Sequence, residues 1–112
     1  MKFEPAINDL CDQIVERFKP ERVILFGSQA HSRSTKDSDV DLLVVMPFEG
    51  SVHAQAVRMR KKLESSLPLD LLVRTPEQIS ERIEMGDFFI RRIIKEGEVL
   101  YEANHGRMDP NR

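Results

Sequence analysis

Two apolar runs of this chain carry aspartate where a core strand would hold only aliphatic side chains. Asp39 and Asp41 stand at the head of DVDLLVV, and Asp70 sits inside LDLLV. The surrounding Leu and Val residues have the pattern of buried strands, and a carboxylate among them is costly unless a positive charge compensates it. No basic residue stands within either run. A fold for this chain has to supply a counter-charge at these strands, and a divalent cation is the simplest one.

The rest of the chain alternates helix and strand patterns. Residues 4–18 carry Ile7, Leu10, Cys11, Ile14, Val15 and Phe18 at helical spacing, with Pro5 in the first turn, which predicts an amphipathic helix stopped by Pro20. Residues 22–26 (RVILF) read as a short buried strand, residues 40–46 (VDLLVVM) as a second closed by Pro47, and residues 69–73 as a third. Between the last two, Ser51 can cap a helix in which Val52, Ala56, Met59 and Leu63 recur, with Pro68 as its stop. Thr75-Pro76-Glu77-Gln78 has the form of a capping box with proline at the first helical position, predicting a helix to about Met85. Gly86 interrupts it. Phe88, Phe89, Ile90, Ile93 and Ile94 predict a further short helix ending at Gly97, and Glu98–Tyr101 a last strand. Strands interleaved with helices favour an α/β (α+β) fold, a small mixed sheet covered by helices. The segment between the first two strands is no convincing crossover helix, so part of the sheet is expected to be antiparallel.

At 112 residues the chain reads as one domain, residues 1–102, followed by a polar tail, residues 103–112, expected to be flexible. A net charge of -2 and the lack of a basic stripe argue against direct nucleic-acid binding; Arg58, Arg60, Lys61 and Lys62 read as the wet face of a helix. Cys11, the one cysteine, is expected to be a buried thiol in a reducing compartment. No apolar run approaches the roughly 18 residues that span a bilayer, and MKFEPAINDL lacks the apolar stretch of a signal peptide. The expected location is cytoplasmic.

Side chains two apart on a strand share a face, so Asp39 and Asp41 can present their oxygens together, and Asp70, at the start of another strand, can bring a third carboxylate alongside. Hard oxygen donors suit Mg²⁺ or Mn²⁺ rather than zinc. Two such ions roughly 3.5–4 Å apart would suit phosphoryl or nucleotidyl transfer. FGSQA adds a second element: glycine permits a tight turn and close approach to a ligand, and free N–H groups with the Ser28 hydroxyl can hold phosphate oxygens. Each signal alone is common in turns; their conjunction is what counts. A calcium loop starting at Asp37 is excluded, because Leu42 and Phe48 stand where glycine and glutamate are required. His31, His53 and His105 show no ligand spacing. Tyr101, Phe88 and Phe89 are expected in the core rather than on a base-stacking platform, with the Phe88–Ile94 helix a lesser candidate for a partner-facing surface.

Gly27-Ser28, ten intervening residues, then Asp39-Val40-Asp41 resembles the GS-x10-DxD signature of the DNA polymerase beta nucleotidyltransferase superfamily, with Asp70 where its third carboxylate falls. The resemblance runs from the first helix to EGEVLYE. In size the chain is most similar to the minimal nucleotidyltransferases, the MNT proteins paired with HEPN-domain toxins. It implies a polymerase-beta-like fold and a Mg²⁺-dependent transfer from a nucleoside triphosphate. Asp39, Asp41 and Asp70 would form the catalytic and metal site, with two Mg²⁺ ions, and Gly27 and Ser28 would hold the β and γ phosphates. It further implies an antitoxin that moves AMP from ATP to a tyrosine of a HEPN toxin, within a hetero-oligomer. Many relatives read GSxAxG, whereas Ser32 replaces the later glycine here, which leaves the path of residues 31–36 and any role of Arg33 or Lys36 open. The rival expectations are an antitoxin acting by contact alone and a transferase for a small molecule.

Overall fold

The computed structural model describes residues 5–27, 39–65 and 67–103. Its elements run α1 (Pro5–Phe18), β1 (Arg22–Phe26), β2 (Val40–Val45), α2 (Val52–Lys62), β3 (Leu69–Arg74), α3 (Pro76–Glu84), α4 (Phe88–Glu96) and β4 (Glu98–Glu102). The strands form one sheet in the order β3-β2-β1-β4. β1 is antiparallel to both β2 and β4, whereas β2 and β3 are parallel. A parallel pair needs a crossover connection, and α2 provides it.

Strand alternation sorts the core into two layers. Val23 and Leu25 of β1, Val40, Leu42 and Val44 of β2, and Leu71 and Val73 of β3 pack with Ile7, Leu10, Cys11 and Ile14 of α1 and Met59 of α2. On the opposite face Ile24, Leu43 and Val45 pack with Ile79 of α3 and with Ile90 and Ile93 of α4. This explains why VDLLVV is apolar almost throughout: β2 is covered on both sides, as continuous apolar strands are.

Local chemistry fixes the helix ends. Ser51 caps α2 by accepting from the Ala54 N–H at 3.0 Å. The Thr75–Gln78 capping box forms in both directions, each bond 3.0 Å. Asp87 caps α4 through the Phe89 and Ile90 N–H groups. Gln13 of α1 exchanges two hydrogen bonds with the Glu64 backbone, tying α1 to the turn after α2.

Cys11 is buried as expected, and burial, reinforced by the Asp12 charge, pushes its thiol up to about 11. Arg58, Arg60, Lys61 and Lys62 are exposed, again as expected. Phe88 and Phe89 depart from expectation. They are 78% and 55% exposed, because α4 buries only its Ile90–Ile93 stripe and its first turn contributes neither ring to the core. Tyr101 is half-buried and packs against the α1 layer from β4. Sheet pairing continues past β4 through the Ala103 N–H, which donates to the Glu21 carbonyl; the remainder of the tail, residues 104–112, lies outside the described residues. Among those residues no helix is long and apolar enough to cross a membrane.

Candidate active site

At one end of the sheet β1 finishes while β2 and β3 begin, which gathers residues far apart in the chain. Phe26 stands opposite Asp41 across the antiparallel ladder, and Asp41 stands opposite Asp70 across the parallel one. Leu43 and Val45, two and four residues beyond Asp41, belong to the α3–α4 layer, as do Leu72 and Phe26. Alternation therefore turns Asp41, Asp70 and Phe26 to that same face.

The two aspartates interact directly. Asp41 is half-buried and its carboxyl is raised to about 6 by desolvation first, then by the Asp70 and Asp39 charges and a hydrogen bond to Asp70. Two carboxylates this close resist ionising together. Asp39 immediately precedes β2, is exposed, and acts on Asp41 through its charge. The expectation of carboxylates buried among Leu and Val holds in part for Asp41 only. Asp39 and Asp70 are exposed, since both lie where their strands enter the sheet rather than beneath a helix.

Gly27 completes this corner. Its φ of +77° is a conformation that residues with a Cβ rarely adopt. A Cβ there would collide with the Asp41 Oδ2 and lie 3.1 Å from its Cγ. Glycine thus lets the backbone leaving β1 run against the Asp41 carboxylate. Ser28, together with His31, Arg33 and Lys36, lies outside the described residues. His53 is exposed on α2.

Among the described residues no three His, Cys, Asp or Glu side chains are gathered at metal-ligand spacing. Asp41 and Asp70 lie within hydrogen-bonding reach of each other, where a cation would relieve the repulsion between them. Their donor chemistry, paired hard oxygens with a third carboxylate nearby, fits Mg²⁺ or Mn²⁺. Phe26 joins this corner as a neighbour that the aspartate spacing does not reveal; its position at the end of β1, directly before Gly27, is the available signal.

A model of the nucleotidyltransferase domain matches residues 7–100. A protein of Methanocaldococcus jannaschii named "Putative protein adenylyltransferase" is 28% identical over 103 residues, covering 90% of this chain and 100% of its own. In three dimensions the chain is similar to a crystal structure titled as a "putative nucleotidyltransferase" from Sulfolobus solfataricus. The TM-score is 0.61 at 18% identity, over 90% of this chain and 81% of that one. That likeness bears on the fold, an α+β arrangement with a mixed four-stranded sheet.

Proposed function

The chain belongs to the nucleotidyltransferase domain family, and from that premise we propose that it transfers AMP from ATP to a hydroxyl on a partner protein. In its most specific form, the partner is a HEPN-type toxin, the acceptor a tyrosine, and the chain its antitoxin. The observation that carries the reading is the in-register pairing of Asp41 with Asp70, joined by a hydrogen bond, at the strand end where Gly27 turns. A protein acceptor is supported by the name of the M. jannaschii relative, which is matched along its entire length.

Asp39, Asp41 and Asp70 would hold Mg²⁺, which supplies charge neutralisation on the triphosphate and lowers the pKa of the attacking hydroxyl. Gly27 and Ser28 would hold the β and γ phosphates through backbone N–H groups and the serine hydroxyl. Asp70, the more exposed carboxylate of the pair, accepts the hydroxyl proton as that oxygen bonds to the α-phosphorus and the bond to the pyrophosphate oxygen breaks. No histidine base enters. Catalysis of this kind rests on positioning and electrostatics.

The test is to incubate the chain with its partner, ATP and Mg²⁺ and to weigh the partner. An added AMP, absent with Asp39→Asn/Asp41→Asn, supports the reading. Neutralisation of the partner with no change in its mass points to an antitoxin acting by contact, and transfer to a small acceptor by the isolated chain points to a small-molecule transferase; either outcome overturns it.

A further inference from the structure

Beside the carboxylate corner lies a cavity of about 300 Å³ between the end of β1 and α4, walled by Phe26, Gly27, Phe89 and Ile93 and edged by Arg92 and Glu96. Gly97 lets the end of α4 sit close to β1: a Cβ there would be 2.6 Å from Ile24 Cγ2 and 3.0 Å from the Leu25 carbonyl. Phe26 and Phe89 meet edge to face with centroids 5.9 Å apart. Phe89 nevertheless remains 55% exposed, leaving aromatic surface open to a ligand. Arg92 and Glu96 are both exposed and 3.4 Å apart. The cavity thus has an apolar aromatic bed and a polar edge.

Gly27 is shared by the two sites. One side of it faces Asp41 and it also walls the cavity. A ligand whose phosphates lie at Asp41 and Gly27 would reach the cavity with its other end. A volume of about 300 Å³ is at the small end for ligand pockets; it suits a flat heteroaromatic ring and not a whole nucleoside triphosphate.

Resting on the function proposed above, we propose that this cavity takes the base of the nucleoside triphosphate, with Phe89 as its stacking surface and Arg92 as the contact at its polar edge. Bases stack on aromatic side chains whatever their identity, so Phe89 supplies affinity, and the edge residues meet the atoms in which bases differ. This assigns Phe89 a binding role that its place in an apolar helical pattern does not suggest.

The chain contains no tryptophan, so Phe89→Trp introduces a single reporter. With Mg²⁺ present, ATP should quench its fluorescence saturably, whereas inorganic triphosphate should bind by calorimetry without quenching. Phe89→Ala should weaken ATP by about tenfold and leave triphosphate affinity unchanged, and Arg92→Ala should weaken ATP in the same selective way. Unchanged ATP affinity in Phe89→Ala, with no quenching of Phe89→Trp, overturns the assignment. Loss of transfer to the partner with nucleotide binding intact also overturns it, giving the cavity to the acceptor. Wild-type protein that binds neither ATP nor triphosphate would instead remove the nucleotidyl-transfer reading itself, a failure distinguishable from that of the cavity.

Discussion

Gly27 and Asp41 approach so closely that one methyl group on the glycine would collide with the Asp41 Oδ2. The contact joins the turn after β1 to the head of β2, and it ties the backbone path to the position of a single carboxylate oxygen.

Gly27→Ala is therefore expected to act twice. Its φ of +77° costs a residue with a Cβ about 1–2 kcal/mol, and the methyl must displace Asp41. Nucleotidyl transfer should fall more than about 10²-fold, the effect of misplacing a reacting group by an ångström. Calorimetric melting and a transfer assay on the same preparation measure both.

Asp41→Asn should separate stability from activity. In the metal-free protein the raised carboxyl, at about 6 against an ordinary 3.8, keeps a proton that the unfolded chain releases. Its contribution to stability is present at acid pH and is lost as pH rises from about 4 to about 6. Asparagine removes that loss, so metal-free Asp41→Asn should melt a few degrees above wild type at pH 7. The gain is on the order of 1 kcal/mol or less, since the group is only half-buried and solvent screens it. Transfer should be lost. A variant that melts lower than wild type at pH 7 contradicts the repulsion between Asp41 and its neighbours.

Mg²⁺ and protons should compete for the same oxygens. Binding then requires Asp41 to give up its proton, and affinity should drop about tenfold per pH unit below about pH 6. Isothermal titration at several pH values reads the slope directly; a flat profile would place the cation away from Asp41.

Asp87→Ala should weaken the scaffold without touching the carboxylates. It removes the cap of α4, which accepts from the Phe89 and Ile90 N–H groups at 3.0 and 3.1 Å, and the Arg82 ion pair at 3.7 Å. The expected cost is about 1 kcal/mol, a fall in Tm of roughly 4–8 °C for a domain of this size. Mg²⁺ affinity at 25 °C should not change.

Much of this architecture could be read from the residues. The Thr75–Gln78 capping box, the prolines that stop elements and the two-sided apolar run of β2 each have a local cause, and they formed where they were expected. The adjacency of Asp41 and Asp70 had no such cause. It depends on β3 pairing with β2 in parallel register, a long-range choice that no spacing records; shifted by one residue, Asp70 would face the other layer. The exposure of Phe88 and Phe89 was illegible, because both occupy positions that fit the helical apolar pattern of α4. Only the sheet and the neighbouring helices determine that the pattern outruns the surface available to bury it.

β2 is hydrogen-bonded along both flanks and roofed above and below, whereas β3 and β4 are the border strands of the sheet formed by the described residues. Amides of such a central strand exchange with solvent only when the whole domain opens, while border strands fray far more often. Asp41 thus keeps its place through those local excursions. Asp41 should hold its position until global denaturation, whereas Asp70 on β3 shares in the fraying, and hydrogen exchange at Leu42–Val44 should be slower than anywhere in β3 or β4.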